Sequence, residues 1–279
     1  MKTIDITYRY EELDAPTRPR PRDSAAALSR LNDGNRAFAM LLEEGTRADV
    51  EGIISIDRRE LGLGHAKLPE QHPFAAIVGC ADARVPVELI FNEGPNDLFV
   101  VRIAGNGLGP EVLGSLKYAV DHLGESLKLI VVLGHSGCGA LSAAVDGFLN
   151  PTDYLPLVSM PSLRHLIDRL LVVVQASARK IQTAYGPEIA NHPRYREALV
   201  EASIVTNAAL AAYTIQQELD ASDTLSVQAA YGIYLIETRQ VWAPHGHGLA
   251  AAPRDRGAFL QSSDAILQSD RFKSLLQPL

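Results

Sequence analysis

Two short apolar runs, each delivering a thiol or an imidazole where it stops, limit what this chain can fold into more than any other feature. The first, Phe74-Ala-Ala-Ile-Val-Gly79, stops at Cys80; the second, Ile130-Val-Val-Leu133, passes Gly134 to reach His135, with Cys138 three residues on. Runs of this length, with β-branched residues and a closing glycine, read as strands buried on both faces, since no polar residue alternates with the apolar ones. The small residues after Gly137 read as a helix start, so His135 and Cys138 fall in a strand-to-helix loop. In an open parallel sheet such loops sit at the carboxyl ends of rigid strands and are free to carry chemistry.

The rest of the chain supplies the sheet and its cover. Residues 1 to about 22, rich in Pro, Arg and acidic groups without periodicity, read as an extended arm. Asp23 and Ser24 suit the cap of a helix carrying Leu28 and Leu31, interrupted at Gly34 and followed by a second set of turns with Phe38, Leu41 and Leu42. Between Gly45 and Pro73 the pattern is weak, and Leu61-Gly-Leu-Gly-His65 lacks the preceding strand and the third glycine of a dinucleotide site. Asp97 to Ile103 is a third apolar run, closed by the turn Ala104-Gly-Asn-Gly107. A helix follows from Pro110, with Val112, Leu113, Leu116, Val120 and Leu123 on one face and Gly124 as its stop. The order strand, strand, helix, strand predicts parallel pairing through crossovers. Helical spacing returns at 163–174 and 195–205, Leu225 to Ile236 reads as a late strand at a sheet edge, and Asp264 to Leu276 as a terminal helix. The fold class is therefore α/β, a mostly parallel central sheet flanked by helices with an N-terminal helical arm: residues 1–24 as arm, 25–279 as a single domain.

A formal charge of −7 with no lysine or arginine block argues against nucleic acid or an anionic membrane surface as partner and leaves a small-molecule substrate. No apolar run approaches the roughly 18 residues of a membrane span, and the start Met-Lys-Thr-Ile-Asp is not the opening of a signal peptide, so a soluble, cytoplasmic protein is expected. In that compartment the only two cysteines, Cys80 and Cys138, are expected to bind metal or do redox chemistry rather than form a structural disulfide.

Two thiolates and an imidazole form a soft donor set suited to zinc, and three protein ligands leave one tetrahedral position for water or substrate. Cys138 also lies at a helix start, which favours the thiolate. The competing readings are two small buried hydrophobic residues, or a redox pair lacking the usual Cys-x-x-Cys spacing. Asp82 and Arg84 share the loop of Cys80. There a carboxylate can accept the proton of a metal-bound water in a hydrogen bond, kept ionised by the guanidinium; an ordinary surface ion pair is the alternative. His245 and His247 admit a second metal site or a proton relay, or simple solvation.

Cys80-Ala-Asp82-Ala-Arg84 together with His135-Ser-Gly-Cys138 resembles the paired Cys-x-Asp-x-Arg and His-x-x-Cys motifs of the β-class carbonic anhydrases. The similarity runs from roughly residue 25 to 240 and includes Gln71, the strand Asp97-Leu-Phe99-Val-Val-Arg102 and Tyr118-Ala-Val. The resemblance implies Zn2+ held by Cys80, His135 and Cys138, an Asp82–Arg84 dyad, and a carbon dioxide pocket lined by Gln71, Phe99 and Tyr118. It also implies an obligate dimer in which the pocket residues approach the zinc across the interface, as a homodimer or higher homo-oligomer. Where the family commonly has serine, this chain has Ala83. The activity implied is reversible hydration of carbon dioxide to bicarbonate and a proton by a zinc-bound hydroxide. Its rivals are hydrolysis of a sulfur analogue such as carbonyl sulfide or carbon disulfide, a non-catalytic zinc-stabilised binding protein, and a thiol redox protein.

Overall fold

The computed structural model describes residues 4–11, 19–41, 50–58, 68–222, 226–244 and 246–276. The glycine-rich segment 61–65, Leu225 and His245 lie outside these. The arm is not a free extension: β1 (Ile4–Glu11) precedes α1 (Ser24–Leu41) and pairs in parallel with β2 (Val50–Asp57), Ile4 opposite Val50 through Glu11 opposite Asp57. In β2, Ile54 and Ile56 are buried while Ile53 is 41% exposed, a period-2 signal too short to stand out in a mixed sequence. Helix α1 starts as expected, with the Ala26 N–H donating to Asp23 Oδ1 at 2.8 Å. It does not break at Gly34. A Cβ there would lie 1.8 Å from the carbonyl oxygen of Phe91, so this glycine lets a continuous helix press against the neighbouring backbone.

The main sheet begins with β3 (Ala75–Gly79), followed by the short α2 (Val87–Ile90), β4 (Leu98–Arg102), α3 (Pro110–Leu123), β5 (Leu129–His135) and α4 (Gly139–Leu149). Next come α5 (Pro151–Tyr154) and two long helices, α6 (Pro161–Tyr185) and α7 (Tyr195–Ala221). The chain closes with β6 (Gln228–Leu235), β7 (Gln240–Ala243), β8 (Gly246–His247), β9 (Ala250–Ala251), α8 (Arg256–Gln268) and α9 (Asp270–Leu275). Strand order is β4-β3-β5-β6-β7-β8, with β9 also on β6; β4, β3, β5 and β6 are parallel and the later strands antiparallel. Strand β6 is thus interior, not an edge, because β7 and β9 cover its outer side. The terminal helix is two: Ser269 is extended and its hydroxyl accepts the Phe272 N–H at 3.2 Å, capping α9 afresh.

Side-chain alternation divides the core into two layers. Ala76, Val78, Ile130 and Val132 face the layer built by α3, α4, α6 and α7, while Ala75, Ile77, Leu129, Val131 and Leu133 face α1 and α2. Helix α7 is by length and composition apolar enough to cross a bilayer, which the sequence reading missed; 83% of its most apolar stretch is buried, as in a core helix. The chain leaves β3 towards β4 on one side and β5 towards β6 on the other. Loops that diverge from adjacent parallel strands open a crevice at their carboxyl ends, and both motif loops begin there.

Candidate metal centre

Register brings the motifs together. Gly79 pairs with Leu133, so Cys80 leaves β3 level with the residue before His135 on β5. Cys80 Sγ, a ring nitrogen of His135 and Cys138 Sγ lie within 4.8 Å of one another, and all three residues are buried; among the described residues no other such group occurs. Cys138 caps α4, and the Ala140 and Leu141 N–H groups of its first turn favour the thiolate. The two thiols share a proton: donation from Cys138 holds the Cys80 thiol down to about 4, while the same pairing and burial push Cys138 up.

His135 is fully buried, and its Nδ1 faces the Ser136 carbonyl at 3.0 Å, which selects the Nδ1–H tautomer and leaves the lone pair on Nε2. That Nε2 has no hydrogen-bond partner among the described residues. An orphaned lone pair beside two thiols is costly unless a cation takes it. Neutral imidazole, thiolates and burial therefore fit a soft divalent ion held by Cys80, His135 and Cys138.

Asp82 and Arg84 form a two-pronged pair: Arg84 Nε donates to Asp82 Oδ1 at 2.9 Å and Nη2 to Oδ2 at 2.7 Å, and the Arg84 backbone N–H adds a third bond at 2.9 Å. The guanidinium holds the Asp82 carboxyl well below the usual carboxylate range. Asp82 Oδ2 is 3.9 Å from His135 Nε2, so the carboxylate borders the ligand group, and Arg84 Nη2 also reaches the Gly137 carbonyl of the other loop at 3.2 Å. Ala83 is exposed, and the pair forms without a hydroxyl at that position. Gln71, Phe99 and Tyr118 are arranged differently. Gln71 is exposed, Phe99 is half-buried on β4, and Tyr118 is 49% exposed and stacked on His122 with ring centroids 4.4 Å apart. Exposed His247 pairs with Trp242 in the β7–β8 ladder and, among the described residues, joins no metal-ligating group.

Sequence reasoning missed the residues that hold the loops. Arg102 Nε donates to the Cys80 carbonyl at 2.9 Å and its Nη2 to the Asp82 carbonyl. Asn106 Nδ2 bridges the Leu133 carbonyl and, at 3.4 Å, that of Val78, tying the ends of β5 and β3 together. Gly105, at φ +66°, donates its N–H to Cys80 Sγ at 3.4 Å; a Cβ there would meet Leu170 at 2.8 Å, so only glycine fits. Asn207 of α7 anchors the Gly105 carbonyl at 2.8 Å. The local signal was the turn Ala104-Gly-Asn-Gly107, whose contacts come from elsewhere in the chain.

Comparison with known proteins agrees with this geometry. The family model described as carbonic anhydrase matches residues 75–241, more than half of the chain. Carbonic anhydrase 2 of Mycobacterium tuberculosis is 55% identical over 120 residues, covering 43% of this chain and 52% of the relative. The carbonic anhydrase of Mycolicibacterium smegmatis is 49% identical over 122 residues with the same coverage, 43% and 52%. The chain spans about half the length of these curated relatives. A solved β-carbonic anhydrase of Aspergillus fumigatus aligns over 69% of this chain and 82% of its own, at 22% identity and a TM-score of 0.46. A family match across both motif loops, on a parallel sheet that brings Cys80, His135 and Cys138 together, places this chain in the β-carbonic anhydrase family.

Proposed function

We propose that this protein binds zinc through Cys80, His135 and Cys138 and hydrates carbon dioxide reversibly to bicarbonate and a proton. The observation that carries the reading is buried His135, with a ring nitrogen within 4.8 Å of both thiols, its Nε2 without a hydrogen-bond partner among the described residues, and an ionised carboxylate 3.9 Å from that nitrogen. Zinc, when bound, supplies a Lewis acid that makes water nucleophilic near pH 7. The chain's own residues do the rest. The Ser136 carbonyl fixes the histidine tautomer, and Cys80 and Cys138, each giving up its thiol proton when the cation binds, would offset its charge as thiolates. Asp82, kept ionised and oriented by Arg84, accepts a hydrogen bond from the attacking water and aims its remaining lone pair at carbon. Gln71, Phe99 and Tyr118 line the carbon dioxide pocket from a second copy of the chain, so the active unit is at least a homodimer.

Stopped-flow carbon dioxide hydration on protein with quantified metal tests the reading. Wild type carries one zinc per chain and turns over; Cys80→Ser and Cys138→Ser lose both, while His247→Ala keeps both. Full zinc content in Cys80→Ser would falsify the ligand assignment, and zinc-loaded wild type without turnover would leave a metal-stabilised scaffold.

A further inference from the structure

Ser136 follows His135 directly, and each of its polar groups is engaged. Its N–H donates to the Tyr234 carbonyl at 3.0 Å, and its own carbonyl faces His135 Nδ1 at 3.0 Å. Its hydroxyl donates to Glu237 Oε2 at 2.6 Å and accepts the Ile236 N–H at 2.9 Å. Glu237 is gripped in turn by Arg271 of α9, whose Nη1 donates to Oε1 at 2.6 Å. The other edge of that guanidinium clamps Glu201 of α7, which is only 7% exposed. Ser136 and the guanidinium together keep Glu237 ionised, against the burial that opposes it.

A continuous polar chain therefore runs from the C-terminal helix to the ligand imidazole. We infer that Ser136 and Glu237 are positioning residues for the metal, and that Arg271 of α9 holds them in place. They touch neither substrate nor ion. A serine pinned at its N–H and hydroxyl cannot shift its carbonyl, and that carbonyl sets which nitrogen of His135 carries the proton and where Nε2 points. Partners behind a metal-binding histidine typically govern affinity by this route. The inference rests on the metal reading above and adds the device that holds its one nitrogen ligand.

The experiment compares zinc release to a chromogenic chelator from zinc-loaded wild type, Ser136→Ala, Ser136→Thr, Glu237→Gln and the double variant Ser136→Ala/Glu237→Gln, with thermal unfolding recorded alongside. Ser136→Ala should release zinc about 10- to 100-fold faster than wild type. Ser136→Thr, which keeps the hydroxyl, should restore most of the difference. Because the two residues act through one chain, the double variant should be no faster than Ser136→Ala alone. Wild-type release from Ser136→Ala, or a double-variant acceleration equal to the product of the two single ones, overturns the inference. If Ser136→Ala does not fold, the isosteric Glu237→Gln on a half-exposed side chain decides, and release at the wild-type rate there overturns it equally. A wild-type protein that binds no zinc removes the metal reading itself, an outcome visible before any variant is compared.

Discussion

If zinc binds as proposed, Asp82 is the residue on which the site's state turns, because it borders Cys80, His135 and Cys138 and is held by a neighbour two positions along. Both of its oxygens are taken by Arg84, in a pair whose fork matches the carboxylate in two bonds, 2.9 and 2.7 Å. Without that fork, a carboxylate 3.9 Å from His135 Nε2 is free to turn to the ion and occupy the position that water needs. Arg84→Ala should therefore keep its zinc and lose hydration rate by roughly 10- to 100-fold, the usual scale for a partner of an active-site group. Arg84→Lys should recover only part, since an ammonium lacks the two-pronged geometry. A crystal structure of zinc-loaded Arg84→Ala gives the check: an Asp82 oxygen bonded to zinc in the place of water supports the gate. A shell and rate identical to wild type would reduce Arg84 to a loop staple.

Among the elements, α4 matters because Cys138 caps its first turn, and its far end is stitched to α7. Arg196 Nε and Nη2 donate to Asp146 Oδ1 and Oδ2 at 2.6 and 2.8 Å. That hydrogen-bonded guanidinium lowers the Asp146 pKa. A depressed carboxylate contributes stability that is present above its unfolded value, about 3.9, and is lost as pH falls through the folded one. Both side chains are more than a third exposed, so solvent screening limits the pair to about 1 kcal/mol or less. Asp146→Asn should lower the urea midpoint slightly at pH 7, and the difference from wild type should shrink below about pH 4; a gap that persists unchanged at pH 3 would contradict the ion-pair origin. This level is also where the sequence was most and least informative. Strands β3 and β5 and helices α3 and α4 were legible because buried apolar runs, caps and stops are local signals. The pairing of β1 with β2 was not, since neither strand has a core-facing pattern strong enough without the other. The covered side of β6 depends on a turn through Arg239, at φ +63°, that folds β7 back onto it. In the site, the Cys80, His135 and Cys138 group and the Asp82–Arg84 pair were readable as residue types at strand ends. Ser136, Glu237 and Arg271 were not, because their contacts exist only once β5, β6 and α9 meet.

For the whole molecule, the decisive feature is what one chain leaves uncovered. Among the described residues strand β4 pairs with β3 alone, so Leu98-Phe-Val-Val101 forms an apolar edge whose side chains are all half-buried. Exposed apolar edges invite pairing or cover. Phe99 lies on this edge, Tyr118 is half-exposed and Gln71 is exposed, whereas Cys80, His135 and Cys138 are buried. If the pocket is completed by a second copy, each zinc takes its ligands from one chain and its pocket wall from the other. In a two-fold dimer the exchange is reciprocal. Mixing a Gln71→Ala chain with a Cys138→Ser chain then makes heterodimers with one intact site and one doubly damaged site. Half of the randomly exchanged dimers are mixed and each has one working site of two, so activity per chain should reach about a quarter of wild type. Each parent alone should fall well below that, Cys138→Ser for want of zinc and Gln71→Ala for want of a substrate contact. Subunit exchange is followed by sedimentation of a size-tagged partner, so that failure to mix is not mistaken for failure to complement. Mixed dimers with no more activity than the average of the two parents would mean that Gln71 serves the zinc of its own chain, or none.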